Sequence, residues 1–297
     1  MERKSRLLFD RDFIARLERL HLIAGRLAGG SAGQFRSGGL GDGLEFADHR
    51  NYSPGDDIRF LDWPCYARLE KMLVRLFHRH SEDDLAIMLD TSASMRPGGK
   101  TELFDYSRRV AAAITYIAMG SGSRVILLPF EDRPGRPVRS GRDRSKIFPL
   151  LENLSELVAR GRTDLPGLAE WFDAGFNNVG WVVLVSDLWV PPGDLPKAFK
   201  RFASGGRELV VLHTHFSEDS DPSFGGHLYL EDAETAERMS VDVTGPLRDT
   251  YIHKWKQRCA RIEKETLRRG GVYVQVPSHM PMEKLILESL QRAGVLG

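Results

Sequence analysis

Leu85-Ala86-Ile87-Met88-Leu89 runs directly into Asp90-Thr91-Ser92-Ala93-Ser94-Met95, and the reading of that junction decides the fold. An unbroken apolar run of this length suits a strand buried on both faces, the habit of parallel sheets. The strand ends in one carboxylate and two hydroxyls at alternate positions. No histidine stands close by in the sequence to activate a serine, so the group is a poor nucleophile. It is a good donor set for magnesium, a hard cation that takes oxygen ligands in octahedral geometry.

The same pattern repeats outward from this strand. Strands are expected at Leu85–Leu89, Val125–Phe130, Trp181–Ser186, Leu209–His213, His227–Leu230 and Val272–Val276. Between them lie helical stripes: Leu103, Tyr106, Val110, Ile114 and Ile117, ended by Gly120; Phe148, Leu151, Leu154 and Val158; Leu165, Leu168 and Phe172 behind the N-cap candidate Asp164; Ala198, Phe199 and Phe202; Ile252, Trp255, Cys259, Ile262 and Thr266; and Leu285, Ile286 and Leu290. Alternating strands and helices predict an α/β fold, a doubly wound, mostly parallel sheet flanked by helices. Ahead of it, residues 1–80 read as an appendage. It holds a helix over Phe13, Leu17, Leu20, Ala24 and Leu27 with Asp10 as N-cap, a glycine-rich stretch over 25–43, and a strand at Leu73–Phe77. The sheet domain is expected over 81–297.

Composition narrows the function classes. The 297 residues carry 42 basic and 41 acidic side chains, a net charge of +1, which gives no global pull toward nucleic acid or anionic membrane. The locally basic loop with Arg133, Arg136, Arg139, Arg142 and Arg144 lacks the aromatic interleaving that base stacking uses. No apolar stretch approaches the roughly 18 residues that span a bilayer. Two distant cysteines, Cys65 and Cys259, read as reduced, buried small hydrophobes. Together these lead to the expectation of a cytoplasmic protein with no nucleic acid and no membrane insertion.

Ligands in open parallel sheets bind beyond the carboxyl ends of the strands. Three oxygen-bearing loops fall there: Asp90 with Ser92 and Ser94; Gly161-Arg162-Thr163-Asp164; and Ser186-Asp187 at the end of a strongly apolar strand. At these residues the chain resembles a von Willebrand factor A domain. The resemblance implies that Asp90, Ser92, Ser94, Thr163 and Asp187 form a metal-ion-dependent adhesion site. The serine and threonine hydroxyls would bind magnesium or another divalent cation directly, and the two aspartates largely through water. Hydroxyls add no formal charge, so such an ion stays electrophilic enough to take a carboxylate from a partner.

A second resemblance rests on Arg50-Asn51-Tyr52-Ser53-Pro54-Gly55-Asp56-Asp57-Ile58-Arg59-Phe60-Leu61-Asp62-Trp63 with Ala67-Arg68. Lys100, Phe104, Tyr106, Leu230-Glu231-Asp232-Ala233-Glu234-Thr235 and Gly270-Gly271-Val272-Tyr273 extend it. These are similar to the bacterial domain-of-unknown-function family fifty-eight, whose genes sit beside MoxR-type AAA+ ATPases. The family implies a binding module rather than an enzyme. It would be an adaptor that works with a MoxR-type AAA+ ATPase in a chaperone-like assembly, on a client protein offering an acidic residue. Cys65 departs from the small or polar residue usual there, and the N-terminal membrane helices of many relatives are not seen.

Competing chemistries are weaker. Asp56 and Asp57 are adjacent, so on a strand they point oppositely and cannot share one substrate atom. They fit a salt-bridge cluster with Arg50, Arg59, Asp62 and Arg68. The pairs His78/His80 and His213/His215 lack a third zinc ligand at suitable spacing. A magnesium-dependent phosphohydrolase with Asp90 as nucleophile is the alternative function. It commonly carries a second carboxylate two residues on, where this chain has Ser92, and no Walker loop occurs.

Overall fold

The structure, a computed structural model, describes residues 8–27, 45–53, 61–69, 71–78, 84–97, 100, 102–140 and 147–290. In chain order its elements are α1 (Arg11–Leu27), β1 (Glu45–Asn51), α2 (Trp63–Leu69), β2 (Leu73–His78), β3 (Asp84–Asp90), α3 (Glu102–Gly120), β4 (Val125–Phe130), β5 (Val138–Arg139), α4 (Ile147–Glu156), α5 (Leu165–Gly175), β6 (Val179–Ser186), α6 (Asp194–Phe202), β7 (Glu208–His215), α7 (Ser217–Ser220), β8 (Gly226–Glu231), β9 (Arg238–Val243), α8 (Gly245–Leu267), β10 (Val272–Pro277) and α9 (Met282–Lys284). The chain ends its described part in a π-helical turn, Leu285–Leu290.

Two compact units emerge, Ser37–Asp83 and the rest of the chain. In the smaller unit β1 and β2 pair antiparallel, from Glu45 opposite His78 to Asn51 opposite Leu73. Its helix α2 starts where the Asp62 carboxylate accepts the Cys65 N–H at 2.9 Å. Asp56, Asp57, Arg59 and His80 lie outside the described residues, as do Arg142 and Arg144.

The larger unit is built on a six-stranded sheet in the order β10-β7-β6-β3-β4-β5. All its pairings are parallel except β4 with β5. Side chains alternate across the sheet as strand geometry requires. Leu85, Ile87 and Leu89 face one apolar layer with α1, α3, α4 and the C-terminal turn, while Ala86 and Met88 face another with α5, α6 and α8. Burial on both faces explains why β3, β4 and β6 read as continuous apolar runs.

Some expectations change. The first helix, assigned to the appendage, belongs with the sheet: Phe13, Leu17 and Leu20 are buried beside α3. The approach is close, since a Cβ on Gly120 would stand 2.2 Å from His21 Cε1. Asp10 does cap it, accepting the Phe13 N–H at 2.8 Å. The strand at His227–Leu230 is real but outside the main sheet. It pairs antiparallel with β9 in a separate hairpin. The stripe through Phe148 and Val158 is misphased. Both are exposed, while Leu151 and Leu154 are buried as expected and α4 adds Ile147 and Leu150 to them.

Candidate metal centre

The parallel strands β3 and β6 are neighbours, so their carboxyl ends bring Asp90 and Asp187 to the same edge. Asp90 is fully buried. Its Oδ1 accepts the Ser92 N–H at 2.9 Å, which turns the chain at once into a one-turn 3₁₀ helix, Ala93–Met95. That turn sets the Ser92 and Ser94 hydroxyls 3.0 Å apart.

The second loop is tied to the first by two backbone bonds. The Arg160 N–H donates to the Thr91 carbonyl at 2.7 Å, and the Ala93 N–H to the Gly161 carbonyl at 3.1 Å. Gly161 has φ of +73°, where a side chain would be strained. This crossing carries Thr163 toward Asp90, whose charged form its hydroxyl favours. Asp164 next to it caps α5, accepting the Gly167 N–H at 2.9 Å.

The third loop is the most constrained. Ser186 Oγ donates to Asp90 Oδ2 at 2.5 Å and accepts the Leu188 N–H at 2.9 Å. Asp187 Oδ1 accepts the Trp189 N–H at 3.2 Å. Between them Leu188 adopts φ of +53°, a left-handed conformation costly for a leucine. The Arg258 guanidinium of α8 holds the Leu188 carbonyl and lies 4.0 Å over the Trp189 ring.

Two carboxylates buried together are an electrostatic problem. Burial raises the Asp90 carboxyl, while hydrogen bonds from Ser186, Ser92 and Thr163 pull it back. Asp187 is pushed up to about 8, by burial first and by the Asp90 charge second. The Ser94 hydroxyl and Arg258 favour its charged form without offsetting those causes. Asp187 Oδ2 is buried and has no hydrogen-bond partner among the described residues. An orphaned carboxylate oxygen on a side chain near the Ser94 hydroxyl, in a pair that repels itself, fits a hard divalent cation. The five residues singled out in the sequence therefore converge at one strand edge.

The family described as Protein of unknown function DUF58 matches residues 48–261. The chain belongs to that family. Among curated relatives of this DUF58 protein, the uncharacterized protein Rv1480 of Mycobacterium tuberculosis is 26% identical over 220 residues, 71% of this chain and 67% of its own length. The solved chain of BatB from Bacteroides thetaiotaomicron is 17% identical and matches 71% of this chain and 98% of its own at a TM-score of 0.44. A von Willebrand factor type A structure from Catenulispora acidiphila is 12% identical and matches 75% of this chain and 43% of its own at a TM-score of 0.43. The fold itself is a mostly parallel sheet between two helical layers.

The cytoplasmic location expected from the sequence is corrected. A structural relative from Bacteroides fragilis is described as an aerotolerance-related membrane protein (17% identity, 71% of this chain, 99% of its own, TM-score 0.41). No helix among the described residues is long and apolar enough to cross a membrane.

Three residues at the DUF58 site escaped the sequence reading. Ser186 was seen only as a strand end. Arg258 sits on the exposed-looking helix α8, with no motif around it. Glu234, on the turn between β8 and β9, accepts a hydrogen bond from Thr163 Oγ1 at 3.2 Å. The histidine pair His213/His215 is already engaged. His213 bonds Tyr273 Oη at 2.9 Å and the Asp187 carbonyl at 3.1 Å, and burial holds its pKa down at about 3.

Proposed function

We propose that this DUF58 protein is a metal-dependent protein-binding module. Its partner would be a MoxR-type AAA+ ATPase, working on a client that offers an acidic residue. The observation that carries this reading is the convergence of Ser92, Ser94 and Thr163 on two buried aspartates, one with an orphaned oxygen. A divalent cation held there would supply an electrophilic centre for an outside carboxylate. Ser92, Ser94 and Thr163 would present neutral oxygens to it, and Asp90 and Asp187 would balance its charge from beneath. The resemblance of the three loops to a von Willebrand factor A adhesion site supports an interaction role.

An adaptor is favoured over the phosphohydrolase. Both Asp90 oxygens accept hydrogen bonds, from Ser92 N–H and Ser186 Oγ, and the residue is fully buried, a poor position for a nucleophile.

The test is a pull-down of the cognate ATPase with the full chain in magnesium and in chelator, with wild type and Asp90→Ala. Retention in magnesium and loss in both other conditions is expected. Binding indifferent to chelator and to Asp90→Ala would remove the cation from the interaction.

A further inference from the structure

The face of the site that a partner carboxylate would need already has a carboxylate against it. Glu234 is half-buried. It accepts from Thr163 Oγ1 at 3.2 Å, and the Ser94 hydroxyl also faces it. These are two of the three hydroxyls assigned to the cation. Glu234 is also near enough to Asp90 to feel its charge. A third acid at a site with two buried aspartates is repulsive unless positive charge stands among them.

The turn that delivers Glu234 is well ordered. Asp232 Oδ1 accepts the N–H groups of Glu234 at 2.9 Å and Thr235 at 2.7 Å, and Arg162 Nε reaches the Glu234 carbonyl at 3.4 Å. The arm that carries the turn is lightly held. β8 and β9 pair only with each other, and no residue of 226–243 belongs to the buried core. Glycines stand at both feet, Gly225 before β8, Gly226 as its first residue and Gly245 after β9. Lifting the arm would draw no buried residue of its own out of the core.

We propose that Glu234 is an intramolecular ligand of the divalent cation, closing the site until an acidic residue of a partner displaces the Asp232–Glu237 turn. This rests on the reading that Asp90, Ser92, Ser94, Thr163 and Asp187 hold such a cation. The orphaned Asp187 Oδ2 is the independent sign that an ion belongs between the two sides.

Mn²⁺ alone serves as the probe on the full chain, followed by calorimetry and by amide hydrogen exchange of residues 232–237. Wild type is expected to bind Mn²⁺, and Glu234→Ala and Glu234→Gln to bind it about ten-fold or more weakly. Exchange in the turn should slow when Mn²⁺ is added to wild type and stay unchanged in both variants. If Asp187→Asn abolishes binding while both Glu234 variants bind as tightly as wild type, the cation site stands and the intramolecular ligand falls. If wild type binds no Mn²⁺, both readings fall together.

Discussion

Ser186 donates its only hydroxyl proton to Asp90 and, through the same oxygen, receives the Leu188 N–H. One side chain thus stabilises a buried carboxylate and sets the turn that aims the next one. Ser186→Ala removes both bonds and leaves a buried N–H and a buried carboxylate oxygen without that partner. A loss of about 1–3 kcal/mol is expected, read from urea denaturation. A change within error would show that water replaces the hydroxyl.

The site was legible where the chain is regular. Asp90 and Asp187 end runs apolar on both faces, and that pattern belongs to central parallel strands whose ends line the binding edge. Thr163 was legible through its loop's place just ahead of a helix together with the resemblance to a von Willebrand factor A adhesion site. Glu234 was not, because it meets Thr163 across 71 positions of sequence. Its hairpin was misleading as well. Leu228 and Leu230 alternate like core residues, yet no residue of β8 joins a core cluster and Tyr229 and Leu230 are exposed. The edge place in the sheet went instead to Val138–Arg139, too short for any periodicity to mark. The first helix showed its stripe plainly, but a stripe does not name its partner. Only the side-chain-free Gly120 facing His21 does.

Stability without cation should fall as pH rises from about 4 to about 8. Asp187 keeps its proton in the folded protein up to about 8, whereas the unfolded chain releases it near 3.9. In that window the folded state binds more protons, so stability decreases with pH. Asp187 would have to give up its proton when a cation binds, so affinity should rise with pH through the same window. Calorimetry near neutral pH in buffers of different ionisation enthalpy should show release of about one proton per cation. No proton release, with affinity flat from pH 5 to pH 8, would mean that Asp187 is not part of the ion's surroundings.

Arg258 is expected to resist replacement by lysine. It combines a bond to the Leu188 carbonyl with a face-on position over Trp189, and the backbone it holds is left-handed. A planar guanidinium does both at once, whereas an ammonium serves one. Arg258→Lys should lose about 1–3 kcal/mol in denaturation and relax the Leu188 turn. Amide exchange at Leu188 and Trp189 would then be faster. Lysine as stable as arginine would reduce the contact to simple charge.

Thr163 and Asp164 are adjacent and should fail in opposite ways. The Thr163 hydroxyl faces Asp90 and Glu234, while the Asp164 side chain turns away to cap α5. The Asp164 N–H is separately fixed to the Glu131 carbonyl at 3.1 Å, so losing the cap does not free Thr163. Asp164→Ala should cost about 1 kcal/mol of stability and leave Mn²⁺ affinity unchanged. Thr163→Ala should weaken Mn²⁺ binding about ten-fold with little change in the denaturation midpoint. The contrast follows from the two side chains' directions past the Gly161 bend, the Thr163 oxygen toward Asp90 and Glu234 and the Asp164 carboxylate toward α5. Equal effects of the two substitutions on affinity would show that the loop responds as a unit and that the Thr163 hydroxyl is not itself a donor.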